Sequence, residues 1–513
     1  MKKTRFILSI VFSVSFLLLI GALSFFEFFP SNQSHFFSFD EKTLTDLQEL
    51  TIDPLGVEMG SKECSIESYG AIKNNSLATT QAIQKAIKDC SSFGKGGQVK
   101  IGPGVWTTYP FTLLDNTHLY LEEGAVLVFD SSLSSYKETD LWRFEGIRAF
   151  MTKPLLQARE CQNVSITGKG TIKGNIDSWD AFIEKEKDLF SLLYRESEKR
   201  EKIEKRTVFS FPDKVFRPEV IGVFLCQRVL IEGITIQDAP RSAMRILMSD
   251  NVTLSDINIT TEALDGDALV LDSSSLVRVE KSYFSSKNGD GISFQSGLNA
   301  EGRGMDENPL KMILIQDSTI ENSKNAVSLD RAMSAGMNRI IVKNIHIDTV
   351  DNGIYGRIPH GVGGELRHFL FENISLTNVS GDGISFDVVS PDELIDLGQK
   401  QIDDTLFLDF FFSHITGDVN RRALFLKNFS QENIVNGGMY FRDISFVSKE
   451  KSLLDGLSET AWENVSLINK SEEDKVIDIE NVNIALFSFF TCGEEKKSEE
   501  CVNLLKGNEE ISF

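Results

Sequence analysis

From Val99 onward the chain is written in short runs of alternating apolar and polar residues: VKIGPGVW, THLYLEEGAVLVF, NVSITGKGTIKG, RVLIEGITIQDA and NVTLSDINIT. A period of two, broken by turn residues, predicts short strands, and helical periodicity is absent from these runs. A second series can be laid in register, one run above another: Asp267–Asp272 (DALVLD), Asp290–Gln295 (DGISFQ), Asn325–Asp330 (NAVSLD), Asn352–Arg357 (NGIYGR), Asp382–Asp387 (DGISFD) and Arg422–Lys427 (RALFLK). Their first residues lie between 23 (290 − 267) and 40 (422 − 382) apart. A regular strand at irregular spacing implies coils of constant section that carry loops of variable length.

Alternation turns Leu269, Ile292, Val327, Ile354, Ile384 and Leu424 inward, with Leu271, Phe294, Leu329 and Phe386 as a second inward column. Val270, Ser293, Ser328, Tyr355 and Ser385 then face out, as do Asp272, Gln295, Asp330, Arg357, Asp387 and Lys427, which together predict a polar wall. The expected fold is all-β: a single-stranded right-handed parallel β-helix, a solenoid spanning 61–513. Two helices interrupt the pattern. TTQAIQKAIKDC puts Ala82, Ile83, Ala86 and Ile87 on one face before Gly94, Gly96 and Gly97, which predicts an N-terminal cap helix. The charge-dense stretch Asp180 to Arg206, with Phe182, Leu189, Leu192 and Leu193, predicts one helical loop insertion over about 178–208, either solvated or acting as a lid.

The N-terminus adds a different segment. Lys2, Lys3 and Arg5 precede an uncharged apolar run from Phe6 to Phe26, long enough to span a bilayer, while Ala22-Leu23-Ser24 offers a cleavage site. Residues 1–30 therefore read as a signal anchor or a signal peptide, with 31–60 as a linker or stalk. Either alternative puts the solenoid outside the cytosol, as a secreted or single-pass type II membrane protein that meets the membrane only through this segment. Six cysteines fit such a compartment. Cys492 and Cys501 suit a small closed loop, Cys64 and Cys90 would staple the cap, and Cys161 and Cys226 occupy matching places in two strands, as a pair or as two buried thiols. Sequons at Asn163, Asn251, Asn258, Asn373 and Asn428 arise from recurrent strand starts.

A net charge of −22 excludes nucleic acid as a partner, because phosphate binding needs a positive field. Between Arg278 and Arg367, however, basic and acidic residues balance, so this stretch can approach an anionic ligand. The edge column Asp267, Asp290, Asn325, Asn352, Asp382 is the sharpest chemical feature. Carboxylates on strands about 4.8 Å apart repel, raise one pKa, and can share a proton or hold a cation. Asp and Asn also recur at corners because they cap turns.

In succession, YGAIKNN, TTQAIQKAI, GGQVKIGPGVW, NVSITGKGTIKG and RPEVIGVFLCQRVLIEGITIQDAP resemble the polygalacturonase family, glycoside hydrolase family 28, over nearly the whole solenoid. The resemblance implies the pectin-lyase type of β-helix and inverting hydrolysis of polygalacturonan by an Asn-Thr-Asp segment, an Asp-Asp pair, a Gly-His-Gly and an Arg-Ile-Lys. Those segments fall on Asp265-Gly266-Asp267, Gly289-Asp290, Lys324 or Asn325, and Tyr355-Gly356-Arg357. Asp267 and Asp290 match the aspartates assigned to the water. Gly289 replaces the proposed general acid, so Asp265, Asp272 or His360 would have to substitute.

The expected catalytic residues are thus Asp267, Asp290 and Asp265, and the expected substrate-binding residues Arg357, His360, Tyr355, Lys324 and Gln295, with no cofactor and no resident metal. The implied partner is an anionic polysaccharide, bound along the flank by a monomer. Two other readings stand beside hydrolysis: a non-catalytic glycan-binding β-helix, and a lyase with Arg357 as base and Ca²⁺ held by Asp267, Asp290 and Asp382.

Overall fold

A computed structural model describes residues 40–513, apart from 133–134, 137, 180–181, 199–202, 204–215, 305–307, 330, 390–402, 472–474 and 493–497. The apolar run Phe6–Phe26, Asp330 and most of the expected insertion beyond Glu198 therefore lie outside the described residues.

The chain winds as a right-handed parallel β-helix. Each coil contributes strands to parallel ladders, as in Met244–Leu247, Asp250–Ser255 and Asn258–Thr261, which pair with Leu269–Asp272, Ser275–Glu280 and Tyr283–Ser286 of the next coil. The register read from the sequence is the register found. Leu269 pairs with Ile292, Ile292 with Val327, Val327 with Ile354, Ile354 with Ile384, and Ile384 with Leu424. These side chains and those of Leu271, Phe294, Leu329 and Phe386 are fully buried in one continuous core. Toward the C-terminal coils the core is a ladder of rings, with Phe371 stacked on Phe412 and Phe412 on Phe441. Such stacking follows from in-register parallel coils, which place like residues directly above one another.

The helix α2, Ser76–Ser91, caps the N-terminal end, and Ala82, Ile83, Ala86 and Ile87 are all buried. The Asn75 side chain accepts the N–H of Ala78 at 3.0 Å, satisfying one of the first-turn donors. Disulfides join Cys64 to Cys90, Cys161 to Cys226 and Cys492 to Cys501. The pairing of Cys161 with Cys226 settles the open alternative, since their strands are neighbours in register.

The described part of the expected linker or stalk, from Asp40 onward, runs along the coils as a strap. The helix α1, Glu41–Gln48, and the extended chain after it lie against the coils, with Leu44, Leu47 and Ile52 buried. Along the strap Glu41 bonds Arg442, Asp53 meets Arg278 at 2.9 Å, the Leu55 N–H donates to Asn251 at 2.9 Å, and the Glu58 N–H donates to Asn163 at 2.7 Å. The apolar spacing of Leu44, Leu47 and Ile52 is too sparse to announce such a contact, because only a narrow stripe is needed to cover one flank.

Two insertions leave the solenoid at the corner that precedes the strands Leu156–Arg159 and Ile221–Phe224. The first is an antiparallel hairpin, Thr139–Phe144 with Ile147–Thr152, which the sequence reading missed. The second contains the helix α3, Ile183–Glu198. Leu189, Leu193 and Tyr194 of α3 are buried, so this helix is a wall and not a solvated excursion.

Candidate functional site

The two insertions rise beside the corner that carries Asp267 and Asp290 and enclose a cleft of about 410 Å³. Its lining includes Asp265, Asp267, Asp290, Gln295 and Lys324 from the expected set, with Phe144, Glu145, Glu186, Phe190, Arg217, Arg241 and Arg331 added by the fold.

The corner column is a hydrogen-bonded ladder. The Asp267 N–H donates to Ser242 Oγ at 3.2 Å, the Asp290 N–H to Asp267 Oδ1 at 2.9 Å, and the Asn325 N–H and Nδ2 to Asp290 Oδ1 at 3.2 and 2.7 Å. Asn352 donates to Asn325 at 2.9 Å, and the Asp382 N–H donates to Asn352 Oδ1 at 3.0 Å. The residues expected to carry the chemistry therefore also cap the coil corners, and the first two rungs face the cleft. Burial raises the Asp290 pKa above the ordinary aspartate value, against the opposing pull of Asn325 and Lys324.

Gly289 has no room for a side chain, because a Cβ there would stand 2.1 Å from the Gly266 carbonyl oxygen. The position expected to hold the general acid therefore carries no side chain. Asp272, one of three residues expected as a substitute, is enclosed by arginines. It is fully buried between Arg143 (2.6 Å) and Arg245 (3.1 Å), and Arg245 also bonds Glu219 and Gln295. Gln295 is held by that 2.9 Å bond as part of the cleft floor. The outward wall here is covered because the hairpin lies upon it. At Gly222 a Cβ would meet Trp142 at 2.8 Å, so the glycine makes the seat.

The remaining charges are arranged in pairs. Arg217 grips Glu186 of α3 through Nε and Nη2 at 2.9 and 2.8 Å, and its Nη1 donates to the carbonyls of Pro240 and Leu264. That bond set fastens α3 to two coil corners. Glu145 sits at the tip of the hairpin and bonds both Arg241 and, at 3.2 Å, Arg331. Burial opposes its ionisation, yet the two guanidinium groups hold its pKa below the ordinary glutamate value. Asp265 is exposed at the rim, 3.3 Å from Lys324.

Other expected residues lie elsewhere. Tyr355 pairs in register with Ser328, one coil beyond Ser293, and Arg357 pairs with Asp387, so both stand farther along the same wall and outside the cleft lining. His360 is buried beyond Pro359, its backbone N–H donating to Val389. Asp382 is taken by Arg422 at 2.9 and 2.8 Å. It stands three coils, roughly 14 Å, from Asp290, too far to share one calcium ion, which leaves Asp267 and Asp290 as the ligands of the lyase reading.

Against this geometry, residues 133–453, well over half of the chain, match the family described as Glycosyl hydrolases family 28. The chain belongs to that family. An exo-poly-alpha-D-galacturonosidase of Dickeya chrysanthemi is 22% identical to this family 28 protein over 440 residues, covering 80% of this chain and 71% of the relative. Among solved structures, the hyperthermoactive exopolygalacturonase of Thermotoga maritima superposes with a TM-score of 0.70 at 20% identity, over 89% of this chain and 97% of its own. The Yersinia enterocolitica family 28 exopolygalacturonase gives 0.60 at 17% identity, over 88% and 78%.

Arg241, Glu145, Arg331 and Phe190 were missed in the sequence. Arg241 directly follows the QDAP that closes the family-like central segment, and Glu145-Gly146 is a two-residue turn between alternating runs, which was the available signal for the hairpin.

Proposed function

We propose that this family 28 protein hydrolyses a pectin-type, uronate-containing polysaccharide with inversion, working inward from a chain end, with Asp267 and Asp290 at the reacting bond. One observation carries the reading: of the carboxyl groups lining the cleft, Glu145 and Glu186 are neutralised by arginines and Asp265 by Lys324, while Asp290 is displaced toward its protonated form. A cleft carboxyl whose burial holds it toward its protonated form is the expected general acid. Asp290 then protonates the departing oxygen. Asp267, beside the positive Arg241, takes a proton from the attacking water.

The oxygens Oδ1 of both aspartates already accept backbone N–H groups, which weakens them as covalent nucleophiles and favours attack by water. Action at a chain end is supported by the hairpin and α3, which wall the cleft on the side of the coils preceding Asp267, and by the exo-acting relatives. Three disulfides support a site of action outside the cytosol.

Release of reducing ends from polygalacturonate, with products sized by chromatography, tests this. Small products from the first time point are expected, and a broad ladder of intermediates would refute the chain-end mode. A second reading, glycan binding without turnover, is favoured by the absence of space for an acid at Gly289. It predicts retention of the polymer with no product after long incubation.

A further inference from the structure

Arg241 is the most unusual polar side chain in the cleft. It is 4% exposed, and its Nη2 is bonded to Glu145. The guanidinium lies over the Phe144 ring at 4.1 Å, and Phe144 is itself stacked on Phe216 at 4.0 Å. Its Nη1 is buried and has no acceptor among the described residues. A buried guanidinium N–H without a partner is costly, and the cost disappears when an anionic oxygen arrives.

The surroundings specify that oxygen. Arg331, whose guanidinium lies 4.6 Å from the Phe190 ring centre, shares Glu145 with Arg241. Two guanidinium groups share the one Glu145 carboxylate, while Glu186, Glu219 and Asp267 also act on Arg241 from nearby, and Nη1 of Arg241 is still left without an acceptor among the described residues. Both cations are backed by rings, which fixes their planes and keeps water off one face. Glu145 is held in a left-handed conformation, φ 47°, and the following Gly146 has φ 80°. The hairpin tip therefore makes a tight two-residue turn that needs positive φ at both positions, and a non-glycine residue there stores strain of about 1 kcal/mol or more. At Gly146 a Cβ would collide with Ala332 and Leu298 at 2.7 and 2.8 Å, so the tip is locked against the next loops.

We infer that Arg241, with Arg331 and the bridging Glu145, forms a receptor for one sugar carboxylate, seated beside Asp267, and that it selects the free uronate over its methyl ester. Resting on the reading of the cleft as an anionic-glycan site, this inference assigns the recognition of charge to the hairpin insertion and not to Arg357. Glu145 is a positioning residue that sets the spacing of the two guanidinium groups.

Calorimetric titration of the full chain with D-galacturonate and with its methyl ester tests the assignment without any bond being cleaved. The acid is expected to bind at least tenfold more tightly. In Arg241→Met its affinity is expected to fall to that of the ester, with the ester unchanged. Should Arg241→Met not fold, as judged by circular dichroism, Arg331→Met at the mouth of the cleft is read in its place and is expected to lose most of the preference. Equal binding of acid and ester by the native protein, or a preference that survives in both variants, overturns the receptor. Selective acid binding together with no release of reducing ends from polygalacturonate leaves the receptor standing and refutes the hydrolase.

Discussion

Asp267 Oδ1 accepts the backbone N–H of Asp290 at 2.9 Å, so the two carboxylates nearest the proposed reaction are rungs of one ladder that also holds the coils in register. Substituting either residue changes a cap as well as a charge. Asparagine keeps the acceptor oxygen, which makes it the informative substitution at both positions.

For Asp290→Asn we expect a loss of about 10²–10⁴ in kcat, the range of a lost general acid. In the native enzyme, kcat should fall as pH rises through the raised pKa of Asp290, and this alkaline limb should be absent from the residual activity of the variant. Rate–pH profiles on polygalacturonate check it. A variant with native rates would remove Asp290 from the chemistry.

The same group makes a stability prediction. Its folded pKa is raised above the unfolded value, so the folded state binds the extra proton, and the stability it contributes is present below the unfolded pKa and lost as pH rises through the folded one. Asp290→Asn cannot ionise. Its melting temperature relative to native should therefore rise between pH 4 and pH 7, which differential scanning calorimetry across that interval would show.

Restoring an acid at Gly289 should fail. A Cβ at 289 would meet the Gly266 carbonyl at 2.1 Å, so Gly289→Asp must shift the Asp267 corner. We expect lower stability, by the 1–3 kcal/mol typical of overpacking, and no gain in turnover. Hydrolysis faster than native would show that the corner yields more readily than close packing allows.

Breaking the anchor of α3 should loosen the cleft wall. Arg217 and Glu186 are both buried, and removal of one partner leaves an uncompensated charge, with a typical cost of about 3–5 kcal/mol. Glu186→Ala should expose α3 to limited proteolysis before the coils unfold, and the products from polygalacturonate should become longer as the cleft opens.

The strap offers a separate test. Ile52→Asp places a charge in a fully buried position on the solenoid flank. It should lower the melting temperature while leaving galacturonate binding intact, because none of the strap residues lines the cleft.

The solenoid was legible because a parallel β-helix repeats one local rule. Each inward residue of DALVLD, DGISFQ and NAVSLD meets its equivalent on the next coil, so strand alternation and corner residues suffice to fix register. The corner column Asp267–Asp290–Asn325 was legible for the same reason, as were the cap helix and the terminal disulfide loop. What the insertions do was not. Glu145 and Arg241 are 96 residues apart in sequence, and no period relates them. The burial of Asp272 against Arg143 and the position of Arg357 and His360 outside the cleft lining depend on where a hairpin and a helix settle after leaving the repeat, whereas the closure of Gly289 by the Gly266 carbonyl is a contact between two coil corners. Local alternation encodes a surface that stacks upon itself, whereas a cleft between non-repeating loops arises from long-range packing, and only the tertiary structure decides which charges it brings together.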